Sequence, residues 1–260
     1  MFKILKYTLF DLSRSRWSYI YFGFYLLFTI ALLVLSGDVS KVAISLMNVI
    51  LILCPLIATM FGVMYFYNSR EFIELLLAQP IKRSDIFLGQ FFGVALSLSL
   101  SLVLGVGLPF IVYGIVMSGE IWNFITLIGN GVALSFIFSG LAFVVALLND
   151  NKIKGFGIAI LVWLFFAVIY DGLFLLILMY FRDYSLEGTS LGLTIFNPID
   201  LSRILVLLKL DISALMGYTG AVFQKFFGTG MGMSLSSLAL ALWIVLPTVA
   251  ISRIARKKDF

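Results

Sequence analysis

Long stretches without a single charged residue dominate this sequence. Five are clean, at 17–37, 42–69, 86–119, 121–149 and 226–252, and a sixth, 155–181, is interrupted only by Asp171. A helix rises about 1.5 Å per residue, so about 20 apolar residues cross a hydrocarbon core about 30 Å thick. Barrel strands would instead alternate over segments of about ten residues. The pattern predicts an all-α integral membrane protein, one domain over 1–260, with spans at about 17–37, 42–67, 86–116, 121–149, 153–181 and 233–252. Runs longer than one crossing leave ends to project into the interface or require a tilt. Pro55, Pro109 and Pro247 fall inside runs, and the missing amide proton suggests a kink or break at each.

Composition removes the competing classes. Soluble domains are about one-quarter charged, whereas this chain is 12% charged and 62% hydrophobic, with a mean hydropathy of +1.12. That is too little charge to cover a soluble surface, and disorder requires the opposite bias. The absence of His excludes Ser-His-Asp and Cys-His catalysis, the HExxH zinc site and a histidine proton switch. Cys54 is the single cysteine, so no internal disulfide can form, and its apolar setting reads as inert packing. There is no GxxxxGK[ST] phosphate loop. Gly105-Val-Gly107 and Gly129-Asn-Gly131 lie within apolar runs and read as packing glycines, while Gly89-Gln-Phe-Phe-Gly93 fits close helix contact. The chain is therefore expected to be non-catalytic, binding no cofactor of its own and no nucleic acid.

Lys and Arg set the orientation. Thirteen of the 18 lie at the N-terminus (Lys3, Lys6, Arg14, Arg16), after the second span (Arg70, Lys82, Arg83), after the fourth (Lys152, Lys154) and at the C-terminus (Arg253, Arg256, Lys257, Lys258). That side is expected to be cytoplasmic, with both termini inside, in a bacterial inner membrane. The first span reads as retained, because no small-x-small cleavage site follows its 21 apolar residues. Residues 2–16 place Phe2, Leu5, Leu9 and Leu12 at helical spacing between cations, which suits an interfacial helix on the inner leaflet.

Two segments exceed what a simple hairpin needs. In the cytoplasmic loop 69–85, residues 69–79 read as an amphipathic helix stopped before Pro80, and Ser84 reads as the N-cap of the third span. Glu71 and Glu74 share one face; Phe72, Leu75, Leu76 and Gln79 form another. Such a helix rests either on the membrane or on a soluble partner. The outer segment, 183–232, is too polar to cross. Asn197-Pro198-Ile199-Asp200 is a helix start, with Asn as cap and Asp three residues on, and Asp200 can pair with Arg203. The stretch that follows, with Lys209 and Asp211, is about half a span long and predicts short amphipathic outer helices, lying on the surface or dipping into it. Gly228-Thr-Gly-Met-Gly-Met233 reads as a loop. Met231, Met233 and upstream Met216 offer soft thioether ligands for a cuprous ion, although apolar sequences carry Met for packing alone. Asp171, the only acid in a span, falls near the outer boundary, where it calls for no proton relay.

The chain thus carries no energy source but does carry a cytoplasmic docking helix and an elaborate outer segment, which suggests a permease driven by a separate ATPase. LFDLSRSRW before the first span resembles the basic interfacial elbow of type-2 ABC export permeases, and SREFIELLLAQPIKRSDIFLGQFFG resembles their coupling helix. The outer stretch FNPIDLSRILVLLKLDISALMGYTGAVFQKFFG is similar to one subgroup, the permeases of complexes that mature nitrous oxide reductase. This resemblance implies a homodimer in membrane lipid, with ATPase subunits carrying ATP and Mg docked on Arg70, Glu71, Phe72, Glu74, Leu75, Gln79, Pro80 and Arg83. It implies a periplasmic β-helix protein on Asn197, Pro198, Asp200, Arg203, Lys209 and Asp211, with a copper chaperone lipoprotein and the reductase beyond. ATP turnover would then support copper-site assembly outside, with a sulfur species as the alternative cargo. The other readings are a type-2 exporter of a lipid, drug or ion, and a membrane scaffold without an ATPase.

Overall fold

The structure, a computed structural model, describes residues 1–36, 39–115, 121–181, 187–209 and 230–257. Eleven helices are described: α1 (Phe2–Ser13), α2 (Arg16–Ser36), α3 (Val39–Asn68), α4 (Arg70–Leu77), α5 (Arg83–Val112), α6 (Ile121–Leu148), α7 (Lys152–Leu164), α8 (Tyr170–Tyr180), α9 (Glu187–Phe196), α10 (Pro198–Lys209) and α11 (Gly230–Lys257). One π-helical turn, Phe165–Ile169, joins α7 to α8. Six stretches are long and apolar enough to cross a bilayer, with α7, the π turn and α8 counting as one. A spanning segment must satisfy its own backbone hydrogen bonds, which is why apolar runs of this length become helices.

α3, α5 and α6 are the centre, with more than half of each apolar window buried; the α7–α8 span, with none, lies at the periphery. Lipid tails are as apolar as Leu, so close packing rather than burial from water holds such a bundle. Phe66 of α3 stacks on Phe87 of α5 at 5.9 Å and meets Phe143 of α6 edge-on at 5.9 Å. Cys54 is buried, with the Tyr21 and Tyr25 hydroxyls at 3.4 and 3.3 Å from its Sγ, so it tethers α2 to α3.

Several expectations are revised. Of the kink or break expected at each proline, no break occurs: all three helices run through their prolines, and the π-helical turn among the described residues falls at 165–169, where there is no proline. The third span ends at Val112 rather than 116, with Gly114 at φ +93, a left-handed position that favours glycine. Ser84 is not the cap of α5: the helix starts at Arg83, Lys82 occupies the cap position, and Ser84 is buried in the first turn. Gly230–Met233 belong to the first turn of α11 rather than to a loop, and that helix continues to Lys257. Gly228 and Thr229 lie outside the described residues.

α1, expected to lie along the inner leaflet, also packs on the bundle. Its buried residues are Ile4, Thr8 and Leu12, of which only Leu12 belongs to the stripe Phe2, Leu5, Leu9 and Leu12. They pack on α5 at the two glycines of the GQFFG sequence: a Cβ on Gly89 would fall 3.0 Å from Ile4, and one on Gly93 would fall 2.6 Å from Thr8. The small-residue spacing fits this contact, but its partner is the interfacial helix rather than a span.

Candidate functional site

One end of the bundle is built around α4. Tyr65 and Phe66 carbonyls accept from the Ser69 hydroxyl at the end of α3 (2.8 and 3.2 Å), and the buried Gln90 of α5 donates to that hydroxyl at 3.3 Å. The chain thereby turns sharply out of the bundle into α4. Ile73 and Leu76 are buried, and Phe72, half-buried, stacks on Tyr7 of α1 with ring centroids 4.7 Å apart. Three elements therefore seat α4: α3 covalently, α5 through Gln90, and α1 through Tyr7.

The opposite face is open. Arg70, Glu71, Glu74, Leu75, Gln79, Pro80 and Arg83 are all exposed. The expected grouping of Phe72, Leu75, Leu76 and Gln79 is split: the first and third turn inward, while Leu75 and Gln79 share the solvent side with both glutamates. Leu75 is 67% exposed, an apolar knob among charges. Arg70 Nε donates to Glu74 Oε1 at 3.3 Å across one helical turn. An apolar residue ringed by charge is the usual form of a protein contact, with the knob supplying affinity and the charges register.

Beside α4, the Tyr67 hydroxyl donates to the Asn149 carbonyl at 2.6 Å and packs on Gly155. Asn151 Oδ1 accepts from the Ile153 and Lys154 amides and caps α7, and Lys152 Nζ donates to Asn68 Oδ1 at 3.0 Å. The start of the fifth span is fastened to the end of α3 next to α4, a connection that nothing local in the sequence marks.

The end formed by α9 and α10 turns its polar groups inward. α9 and α10 meet at a bend of 115°, and α10 packs against α6, α11 and α3 with nine of its twelve residues buried. Asn197 caps α10 as expected: its Oδ1 accepts from the Ile199 amide at 3.0 Å. Its Nδ2 donates to Asp200 Oδ2 at 2.8 Å and to the Phe166 carbonyl, in the π turn, at 2.9 Å. The Tyr170 hydroxyl donates to the Leu193 carbonyl at 2.6 Å, and Trp243 Nε1 to the Ile195 carbonyl at 3.1 Å. Arg203 pairs with Asp200 at 2.9 Å, the expected i, i+3 contact, and also with Asp171 of α8 at 3.1 Å. That second pairing was not anticipated, although a carboxylate within a span signals that a cation lies nearby.

Of the residues assigned from sequence to an outside partner, Asn197 and Pro198 are buried, Asp200 and Arg203 are half-buried in the triad with Asp171, and Lys209 is exposed. Their placement gives the first four a bracing role between the fifth span and α10. Asp211 and Met216 lie outside the described residues; Met231 is in the first turn of α11, and Met233 lines a groove with Lys209 and Asn130. Burial and the neighbouring Asp171 carboxylate push Asp200 up to about 7, against the opposing pull of Arg203. No cluster of three or more His, Cys, Asp or Glu suited to a metal occurs among the described residues.

Comparison with known proteins follows the same lines. The profile of the ABC-2 family of transporter proteins matches residues 26–257. A probable ABC transporter permease protein NosY of Stutzerimonas stutzeri is 29% identical over 216 residues, spanning 78% of this chain and 72% of that protein. One of the same name from Pseudomonas aeruginosa is 27% identical over 216 residues, spanning 79% and 76%.

Proposed function

This chain belongs to the ABC-2 family of transporter proteins, and on that premise we propose that it is a NosY-like permease, coupling ATP hydrolysis on a separate subunit to work on the outer side of a bacterial inner membrane. The family makes it a multi-pass membrane transport subunit. The observation that carries the finer reading is α4, held from behind by three elements and presenting Glu71, Glu74 and the Leu75 knob to the cytoplasm. A NosF-like ATPase is the proposed occupant of that face, and a second copy of the chain completes the permease as a homodimer.

In this reading a displacement of α4 has continuous routes upward. Tyr7 and Gln90 pass it to α1 and α5, and Tyr67 relates the end of α3 to the base of α7. α7 continues through the π turn to the Phe166 carbonyl, where Asn197 connects it to α10. A contiguous chain of contacts transmits work only if some element has two arrangements; the π turn and the 115° bend are the irregular elements on this route. The outward recipient is proposed to be a NosD-like β-helix protein meeting the outer segment beyond Lys209, in support of copper-site assembly on nitrous oxide reductase with a copper chaperone lipoprotein.

The test is a mild-detergent pull-down of the full complex. Glu71→Lys combined with Glu74→Lys should release the ATPase or uncouple its hydrolysis while leaving the permease folded, since both residues are exposed. Normal co-purification and ATPase rate in that variant would show the docking face to be misassigned. Copper contact by Met216, Met231 and Met233 is a separate proposal: replacing all three with Leu should impair copper loading of the reductase, and normal loading removes it.

A further inference from the structure

A two-part slot opens on the cytoplasmic half of the bundle and has no place in the route just described. Its upper part, about 370 Å³, has wholly apolar walls, with Trp17, Ile20 and Phe24 of α2 facing Leu53, Ile57 and Met60 of α3. Its lower part, about 540 Å³, is polar, bounded by Tyr7, Asp11 and Arg14 at the α1–α2 turn and by Asn68 and Ser69 at the end of α3. The two parts share Trp17, Phe61 and Met64 as walls, so the apolar slot runs into the polar mouth.

Dimensions and charge identify the occupant. Leu53 to Met64 is eleven helical steps, about 16 Å, close to the roughly 15 Å depth of one leaflet. A volume of about 370 Å³ over that length is a slot as narrow as a hydrocarbon chain; a helix of a second copy, 10–12 Å across, does not enter it. The mouth presents a cation and an anion one helical turn apart: Arg14 and Asp11 are both exposed, and Arg14 makes no ion pair with any described residue. A guanidinium binds phosphate through paired N–H donors, and a carboxylate beside it accepts from an ammonium.

We propose that this slot holds one phosphoethanolamine phospholipid of the cytoplasmic leaflet. One acyl chain lies between α2 and α3, the phosphate sits on Arg14 and the ammonium on Asp11. Because Phe72 of α4 and Tyr7 of α1 both line the mouth, the head group lies against the seat of the coupling helix, and the lipid is a structural partner of that seat rather than cargo.

Native mass spectrometry of the purified full-length chain tests this, with phosphatidylethanolamine and phosphatidylglycerol of matched acyl chains as probes. One phosphatidylethanolamine per protomer should be retained. Met60→Trp, which fills the slot, and Arg14→Gln, a change at an exposed residue that leaves the fold intact, should each lower retention at least tenfold. Asp11→Asn should weaken phosphatidylethanolamine and spare phosphatidylglycerol. Retention of neither lipid, or undiminished retention in both Met60→Trp and Arg14→Gln, overturns the site. Equal retention of the two lipids by the wild type overturns the head-group assignment. A disulfide between two copies of a Phe24→Cys chain would show that a second protomer fills the slot instead.

Discussion

The two ends of this molecule use the same chemistry to opposite effect. At the α4 end Arg70 and Glu74 pair on the open face of that helix, with their side chains 56% and 61% exposed. At the α10 end Arg203 pairs with Asp171 and Asp200, with the three side chains 30%, 34% and 14% exposed. An exposed pair contributes about 0–1 kcal/mol, so the first leaves its charges available to a partner. Breaking a fully buried pair leaves an uncompensated charge and costs about 3–5 kcal/mol; the second, half-buried, lies between these cases and commits more of its charge to holding helices together. One end is built to be touched and the other to stay shut.

The largest effect expected from that contrast is at the open end. The Glu71→Lys, Glu74→Lys chain should lose its ATPase while its melting temperature stays within a degree or two of wild type. Leu75→Asp alone should weaken the same association by about 2 kcal/mol, roughly thirtyfold, as expected for an apolar anchor; titration of the ATPase onto the permease would measure it. A drop in melting temperature without loss of binding in either variant would erase the distinction between the two ends.

Arg203→Met should act in the opposite way, destabilising the permease by about 3 kcal/mol with the ATPase still bound. Thermal unfolding in detergent would read this, and adding Asp171→Asn and Asp200→Asn to Arg203→Met should recover most of the loss, because no buried charge is then left alone. Failure of that rescue would mean that packing rather than charge holds α10.

A smaller effect is pH-dependent. Asp200 titrates near 7 in the fold against an ordinary value of 3.8. A carboxyl raised on folding contributes stability that is complete below about pH 4 and is lost as pH rises through about 7. The melting temperature should therefore be higher at about pH 5.5 than at about pH 8.5, and Asp200→Asn should abolish most of the difference. The smallest change expected is from Tyr67→Phe, which removes the 2.6 Å bond to the Asn149 carbonyl and should cost about 1 kcal/mol, measured as faster amide exchange at the base of α7.

The spans and the short helix α4 were legible in the sequence because each rests on a signal within one segment: length without charge, or polar and apolar residues alternating at helical spacing. What stayed hidden depends on which face of an apolar helix meets which neighbour. α1 carries apolar residues on more than one face, so nothing local distinguishes Ile4, which is buried, from Phe2, which is 76% exposed. The fifth span is apolar through the π turn itself, from Phe165 to Ile169, and no residue type there marks the extra backbone position. Leu75 and Leu76 are adjacent and chemically identical, yet one is exposed and the other buried; only the seat made by α1 and α5 decides between them. Asp171 and Arg203, 32 residues apart, could have been matched by asking where an intramembrane acid finds its cation.

A π turn places one more residue in the helical circuit than an α turn does, and one residue of α-helix is about 100° of rotation. Removing a single residue from 165–169 would let the turn close into ordinary α-helix with Asp171 still toward Arg203, whereas the same deletion in regular helix would swing it away by about that angle. The surplus residue works as slack in the winding: it is taken up inside the turn, so the upper and lower halves of the fifth crossing keep their own neighbours although their sequence periods are offset by one position.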